Sequence, residues 1–217
     1  TVKSGAFTSG GAWLATTGTE GVVRIWDTST WAEHRVLQRH TSAVTDCAFN
    51  PDGAWLATSS ADRTVRIWNT TTWTEHTVLQ GHTSTVTSCA LTSDGAWLAT
   101  TSADRTVHIW DTATWTEHMV LRGHTGTVTG CAFTSEGAWL ATTSADRNIR
   151  VWDLLSGQGS GPGFIQNRSV TACSIAPDAS SLVAVGSGHT PCVWEADSPV
   201  ERVLMNGHTD TVTDCAF

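Results

Sequence analysis

The sequence predicts an all-β protein made of repeated small sheets, and three observations support this prediction. Thr and Trp favour strands and are abundant, while 19 glycines supply residues for turns. No long stretch places its apolar residues at the 3.6-residue spacing of a helix. Tryptophans also recur every 42 residues, at Trp26, Trp68, Trp110, Trp152 and Trp194. A fixed period of this length indicates an architecture of stacked structural repeats.

Residues 85–126 illustrate how one repeat is predicted to fold. Four runs rich in Val, Ile, Leu, Thr and Trp are typical of strands: TVTSCAL, WLATTS, TVHIWD and EHMVL, in that order. The segments between them, TSDGA, ADR and TATW, carry the Gly, Asp, Ser and Thr residues that favour turns. We therefore expect a four-stranded meander in each repeat.

The repeats define the domain organisation. No insertion or deletion interrupts the register, so the chain divides into units 1–42, 43–84, 85–126, 127–168 and 169–210, followed by an extra first strand at 211–217. A lone meander is apolar on both faces, so we expect the units to stack and bend into a ring. Residues 1–7 and 211–217 both resemble first strands, and a closed ring of five units has room for only one. We therefore expect a part of a larger ring.

The composition argues against several classes of function. A net charge of −8 and a pI near 5.5 disfavour binding to a nucleic-acid backbone, which needs clustered Lys and Arg. No run of about 18 apolar residues predicts a membrane span, and the first residues do not resemble a signal peptide. The six cysteines contain no C-x-x-C pair. We therefore predict free thiols, no metal site, no cofactor and a cytoplasmic location.

The repeat also carries a family resemblance. In a unit of 42 residues, Gly-His followed about 27 residues later by Ile-Trp-Asp, as in residues 81–111, resembles the WD40 repeat, and the resemblance covers the whole chain with single-residue variations of both motifs. The resemblance implies a β-propeller of five four-stranded blades plus one extra strand, as part of a ring of about seven blades. It also implies that the first strand of each blade lies nearest the axis.

Ser, His and Asp, the side chains of hydrolytic triads, recur within the middle blades. The resemblance instead implies a structural network that runs from a Trp indole through a Ser hydroxyl and a His imidazole to an Asp carboxylate. Its expected members are His40, Ser60, Asp62 and Trp68 in the second blade, His82, Ser102, Asp104 and Trp110 in the third, and His124, Ser144, Asp146 and Trp152 in the fourth. Three copies and the lack of a G-x-S-x-G turn argue against catalysis, so we predict no catalytic residue.

The first and fifth blades depart from this pattern. Gly18 stands at the Ser position of the first blade. In the fifth, Gln166, Gly186 and Gly188 replace the His, the Ser and the Asp. Pro191 is expected inside the third strand of that blade, where it would remove a hydrogen-bond donor. We predict that the fifth blade is the least stable.

Charged residues at one end of the propeller are candidates for partner binding. Arg63, Arg105 and Arg147 follow the aspartates of the tight turns, and Asp46 lies on a first strand near the central opening at that end. In similar propellers the loops around the opening commonly bind peptides.

Turn tryptophans at the opposite end are a second candidate. Trp31, Trp73 and Trp115 occupy the turns between the third and fourth strands. They either pack on their own blade or form a row of aromatic anchors for a partner.

The leading hypothesis is a non-catalytic protein–protein interaction scaffold. The blades, with A-W-L-A-T-T-S and V-T-x-C-A, resemble propellers of bacterial, actinobacterial-type multi-domain regulators. This implies a sensor or regulatory module of a larger signalling protein. The alternatives are a carbohydrate-binding propeller that uses the turn tryptophans and a propeller-fold hydrolase. The expected partner is a protein or peptide, or a second copy meeting the exposed propeller ends, with no nucleic acid and no membrane.

Overall fold

The computed structural model describes residues 1–154, 164–165, 169–176, 181–187, 191–195, 201–205 and 208–215. These residues form strands and no helix, so none of their segments is a helix that could cross a membrane. The all-β class predicted from the sequence is confirmed.

Five four-stranded sheets follow one another along the chain. The first contains β1 (Val2–Phe7), β2 (Trp13–Gly18), β3 (Val22–Asp27) and β4 (Ala32–Gln38). The second contains β5 (Val44–Phe49), β6 (Trp55–Ser60), β7 (Val65–Asn69) and β8 (Thr74–Leu79). The third contains β9 (Val86–Leu91), β10 (Trp97–Ser102), β11 (Thr106–Asp111) and β12 (Thr116–Arg122). The fourth contains β13 (Val128–Phe133), β14 (Trp139–Ser144), β15 (Asn148–Asp153) and β16 (Phe164–Ile165). The fifth contains β17 (Val170–Ile175), β18 (Ser181–Gly186), β19 (Cys192–Glu195) and β20 (Glu201–Leu204).

Each sheet is an antiparallel meander in chain order, as the repeat predicts. In the third sheet, Trp97 pairs with Asp111 and Thr106 pairs with Arg122. The predicted strands of this repeat agree with the structure to within one residue at each end. We call each sheet, with its loops, a blade.

The turns follow from their short polar side chains. Asp111 Oδ1 accepts hydrogen bonds from the backbone N–H groups of Ala113 and Thr114, at 2.8 and 3.1 Å. An Asp that bonds the backbone two residues on fixes a tight turn. This turn joins β11 to β12 and leaves Trp115 at a positive φ of 58°.

The blades pack through their innermost strands. β1, β5, β9, β13 and β17 lie side by side in that order, and the second strand of each of the first four blades also contacts the first strand of the next. The apolar clusters span these boundaries; one joins Ala57 and Ile67 of the second blade to Val86 and Leu98 of the third. Burial between blades therefore supplies the core that a single meander lacks.

Residues 211–215 lie where a sixth blade would place its first strand. Thr171 Oγ1 donates to the carbonyl of Val212 at 2.9 Å, and Thr129 Oγ1 donates to that of Val170 at 2.7 Å in the same way. At the other side of the stack, β1 and β17 hardly contact each other. Val2 and Phe7 of β1 are 69% and 56% exposed.

The fifth blade differs from the others at its third strand. Pro191 lies just before β19, which begins at Cys192, so the prediction that it lies inside the strand was wrong. Proline lacks the N–H that the ladder needs, and the strand begins after it. Gln166 and Gly188 lie outside the described residues, as do 216–217 of the expected extra strand.

Candidate functional site

A chain of hydrogen bonds recurs in the three middle blades. In the third blade, Trp110 Nε1 donates to Thr100 Oγ1 at 2.9 Å, and Thr100 Oγ1 lies 2.9 Å from His82 Nε2. His82 Nδ1 lies 2.9 Å from Asp104 Oδ2. The second and fourth blades repeat all three bonds at distances of 2.8 to 2.9 Å. Each chain ties the third strand to the loop before the first strand.

The carboxylate of Asp104 fixes the hydrogen-bond directions along this network. An ionised carboxylate only accepts, so Nδ1 of His82 carries a proton and donates it to Asp104. Nε2 of the neutral ring then accepts from the hydroxyl of Thr100, whose oxygen accepts from the indole N–H of Trp110. Burial lowers the pKa of His82 despite the nearby carboxylate of Asp104, so the imidazole is neutral near pH 7.

The aspartate at the end of each chain is ionised. Burial alone would raise the pKa of Asp62, but hydrogen bonds from Thr64, His40 and the Thr41 N–H outweigh it and lower the pKa to about 2. The equivalent bonds lower the pKa values of Asp104 and Asp146 in the same direction. Each of the three middle blades therefore holds a neutral imidazole against an ionised carboxylate.

The hydroxyl in the chain belongs to a threonine, so the predicted role of the serines was wrong. Ser102 Oγ accepts the backbone N–H of Asp104 at 3.0 Å and donates to the carbonyl of Ser84 at 3.3 Å. Ser60 and Ser144 accept the corresponding N–H groups in their own blades. The serines therefore cap the tight turns that position the aspartates.

One sequence signal could have identified the correct hydroxyl. Threonines recur at the 42-residue period as Thr16, Thr58, Thr100 and Thr142. The first blade has glycine at the Ser position, yet Trp26 Nε1 donates to Thr16 Oγ1 at 2.8 Å. In all four of these blades, the hydroxyl that accepts the indole N–H belongs to the threonine and not to the serine.

These polar sets do not have the geometry of a hydrolytic triad. A nucleophilic hydroxyl must be accessible to substrate and bonded to a base. Ser102 is fully buried and bonds only backbone groups, and the hydroxyl that does meet His82, on Thr100, is also fully buried. The arrangement is a structural brace.

The first strands line a central channel of about 270 Å³, with Asp46 in its wall. Asp46 Oδ1 accepts from Ser4 Oγ at 2.7 Å and from the N–H of Cys47 at 2.9 Å. Its Oδ2 accepts from Ser88 Oγ at 2.7 Å and from the N–H of Cys89 at 3.1 Å. Burial raises the pKa of Asp46, against these bonds. The carboxylate, predicted to bind a partner, joins three blades.

Arginines are concentrated at one end of the propeller. Two kinds of segment meet at this end: the turns between second and third strands, and the loops before first strands. In the second blade they are joined by a hydrogen bond of 3.0 Å, which the N–H of Thr41 in the loop donates to Asp62 in the turn. We call this the arginine end; in the described part of the chain its exposed arginines are Arg39, Arg63, Arg105, Arg122 and Arg147.

Three of these arginines adopt a strained backbone conformation. Arg63, Arg105 and Arg147 have φ values of 74°, 73° and 71°. Gly21 takes this position in the first blade with the same φ of 74°. A left-handed φ costs a residue with a Cβ about 1 kcal/mol, whereas glycine adopts it freely.

The opposite end differs in its charged residues, because its described turns carry carboxylates without neighbouring arginines. Its turns, which connect the first strand to the second and the third to the fourth, carry Asp27, Asp52, Asp94, Asp111 and Glu136. The described turns at this end, up to residue 154, contain no Lys or Arg. We call it the acidic end.

The turn tryptophans lie at the acidic end but do not form an exposed row. Trp73 packs edge-on against Trp13 of the preceding blade, with ring centroids 5.8 Å apart, and is only 7% exposed. Trp115 contacts Trp55 of the preceding blade in the same way, at 4.8 Å. They therefore seal blade boundaries instead of packing on their own blade alone. Trp31 is 63% exposed.

The five cysteines of the first-strand segments, from Cys47 to Cys215, are free thiols, as the sequence predicts. Burial raises the pKa values of the thiols on the first strands, and to about 11 for Cys215. Cys47 Sγ faces the carbonyl of Ala15 in the preceding blade at 3.9 Å. Protonated thiols in this setting act as small apolar side chains.

Comparison with known families identifies the same repeats. The family described as WD domain, G-beta repeat matches residues 1–27, 31–69, 73–111 and 115–153, well over half of the chain. Each of the last three stretches runs from the outer strand of one blade through the first three strands of the next. No curated protein matches the chain significantly.

Proposed function

Because the chain belongs to the WD40-repeat family, whose propellers are generally protein-interaction scaffolds, we propose that it is a non-catalytic scaffold that binds its partner through the arginine end. The strained arginines are the observation that carries this proposal. Arg63, Arg105 and Arg147 are exposed and hold left-handed backbone that Gly21 adopts without a penalty. Strain retained at exposed positions is a sign of function.

The chemistry of this end favours an acidic segment of a protein partner. A guanidinium group presents a planar set of donors that matches a carboxylate. Among the described residues, the arginine end exposes five such groups, while the carboxylates of its tight turns are held in hydrogen bonds. Exposed guanidinium groups at one end and acidic turns at the other orient an acidic partner as it approaches.

We also propose that the propeller is a cytoplasmic sensor or regulatory module of a larger signalling protein. The resemblance of its near-identical blades to those of bacterial multi-domain regulators supports this role. A ring of more than five blades fits the same proposal. Val2 and Phe7 of β1 are exposed, whereas Val44, Val86, Val128 and Val170 are fully covered by a neighbouring blade.

The two alternative functions have less support. A carbohydrate-binding site would use the turn tryptophans, but Trp73 is buried between blades. A hydrolase would use carboxylates at the central opening, but both oxygens of Asp46 are occupied by hydrogen bonds from neighbouring strands.

Binding to arrays of acidic, neutral and basic peptides tests the proposal. We expect the chain to select acidic peptides, with an affinity that falls as salt is added. Replacing Arg63, Arg105 and Arg147 together by Gly should abolish the selection. The fold tolerates this change because Gly21 already occupies the equivalent turn.

A matched control alters the opposite end of the propeller. Asp52→Asn and Asp94→Asn remove exposed charges from the acidic end and should leave peptide selection intact. Equal binding by the triple Gly variant and the native chain, or a preference for basic peptides, would refute the proposal.

A further inference from the structure

The third blade differs from its neighbours beside the hydrogen-bonded chain. His108 stands where the first, second and fourth blades have Arg24, Arg66 and Arg150, and the fifth has Cys192. In the second blade, the guanidinium of Arg66 pairs with Glu75. The third blade keeps the equivalent Glu117 but replaces the guanidinium by an imidazole. His108 is only 5% exposed.

His108 brings a second imidazole against the first. The rings of His108 and His82 lie 4.0 Å apart between centroids. One ligand atom each from His82, Asp104 and His108 lies within 4.8 Å of the other two. Three donors, one each from a loop, a tight turn and a strand, thus lie close together at one largely buried point.

The carboxylate of Glu117 lies beside the cluster. His108 Nδ1 is 2.7 Å from Glu117 Oε2, although the two atoms are not aligned for a hydrogen bond. At the equivalent positions of the second and fourth blades, Arg66 Nε and Arg150 Nε are likewise buried without a hydrogen-bond partner among the described residues. An imidazole nitrogen can bind a metal ion and a guanidinium nitrogen cannot, so the third blade offers a ligand where its neighbours offer none.

The cluster lacks a guanidinium group. Arg66 pairs with Glu75 in the second blade, whereas the equivalent Glu117 faces the imidazole of His108. The carboxylates of Asp104 and Glu117 therefore lie beside two histidine side chains, in a cluster that suits a cation.

We propose that His82, Asp104 and His108 bind a divalent transition-metal ion of the zinc class, with Glu117 as a fourth donor. Imidazole nitrogens and carboxylate oxygens are ordinary ligands of zinc. Tetrahedral coordination with bonds of about 2.1 Å places the donor atoms roughly 3.4 Å apart. Metal binding therefore requires the three ligand atoms, which lie within 4.8 Å of one another, to move closer together.

The hydrogen-bond network around His82 supplies the second hydrogen bond that a metal-binding imidazole needs. Thr100 Oγ1 lies 2.9 Å from His82 Nε2. When Nδ1 of His82 binds the metal, its proton moves to Nε2 and is donated to Thr100. A ligating imidazole normally donates its second N–H to a partner of this kind.

Gly81 leaves room beside the cluster. A Cβ at this position would lie 3.1 Å from His108 Nδ1 and 3.2 Å from Glu117 Oε2. The second blade has Arg39 at the equivalent position. The third blade thus combines His108 with a glycine, which has no Cβ to contact the imidazole.

Calorimetric titration of the chelator-treated chain with Zn²⁺ alone tests the proposal, with Co²⁺ and its visible absorption as a second probe of coordination. We expect one tight Zn²⁺ per chain and a tetrahedral Co²⁺ spectrum. His108→Arg restores the residue of the other blades, and should remove that site while the chain stays folded.

A transplant of the site is the complementary test. Arg39→Gly combined with Arg66→His rebuilds the cluster in the second blade, beside His40, Asp62 and Glu75. This variant should bind two Zn²⁺ per chain. The proposal is overturned if the native chain binds no Zn²⁺, or if His108→Arg binds it as tightly, since exposed histidines would then hold the metal.

Discussion

Ser88 Oγ donates a hydrogen bond to Asp46 Oδ2 at 2.7 Å, across the boundary between the third blade and the second. The other oxygen of Asp46 accepts from Ser4 of the first blade. One carboxylate therefore joins three blades at the channel wall.

Replacing this carboxylate should weaken the whole stack. Asp46→Ala leaves two hydroxyls and two backbone N–H groups without their acceptor, and should lower the free energy of unfolding by about 2–3 kcal/mol. Urea unfolding followed by tryptophan fluorescence measures the change. Asp214→Ala is the matched control, because Asp214 is exposed and accepts only from the N–H of Cys215. An equal loss in both variants would contradict the bridging role.

The threonine of the hydrogen-bonded chain should matter more where a histidine is present. Thr100→Val keeps the shape of the side chain but leaves the indole of Trp110 and Nε2 of His82 unpaired. We expect a loss of about 2–4 kcal/mol. Thr16→Val in the first blade unpairs the indole of Trp26 and should cost about half as much. Comparable losses in urea unfolding would show that the histidine bond adds nothing.

The loss of stability on replacing a turn tryptophan should depend on how deeply its side chain is buried. Trp73 is buried against Trp13, so Trp73→Ala should destabilise the chain by about 3–4 kcal/mol. Trp31 is exposed, and Trp31→Ala should change stability by less than about 1 kcal/mol. Thermal unfolding of the two variants measures the difference. A larger effect at Trp31 would mean that the boundary contact of Trp73 is unimportant.

Acid should destabilise the propeller before it titrates ordinary carboxylates. Burial lowers the pKa values of His40, His82 and His124 below 6.5, so folding favours the neutral imidazole. Their contribution is complete above pH 6.5 and is lost as the pH falls through the folded-state values. Asp62, with its pKa lowered to about 2, adds a further loss below pH 3.8. Unfolding at constant ionic strength should show a plateau above pH 7 and a decline from pH 6.5 downward; constant stability from pH 7.5 to 5 would contradict this.

The strands and their order could be predicted because several independent sequence signals in the repeat agree with one another. Alternating apolar residues, the Asp and Gly turns and the constant period agree in every blade. The third-blade strands are correct to within one residue for that reason. The choice between Ser102 and Thr100 could not be made from the pattern of one blade, because residues two apart in a strand share a face and both carry a hydroxyl.

Contacts between blades were harder to predict than contacts within one. The residue that Trp73 contacts depends on the angle by which successive blades are rotated about the propeller axis. That angle cannot be inferred from the sequence of a single repeat. The same holds for Asp46, whose serine partners lie 42 residues away on either side. The contact between the rings of His108 and His82 likewise depends on how the loop before β9 lies against β11, which the repeat pattern does not show.

The most direct test of the scaffold proposal is a hydrogen-exchange footprint of a bound acidic peptide. The account predicts slower exchange in residues 39–43, 61–64 and 103–106, which form loops and turns of the arginine end, and no change in the turns 50–54 and 92–96 of the acidic end. Protection confined to the acidic end would contradict it.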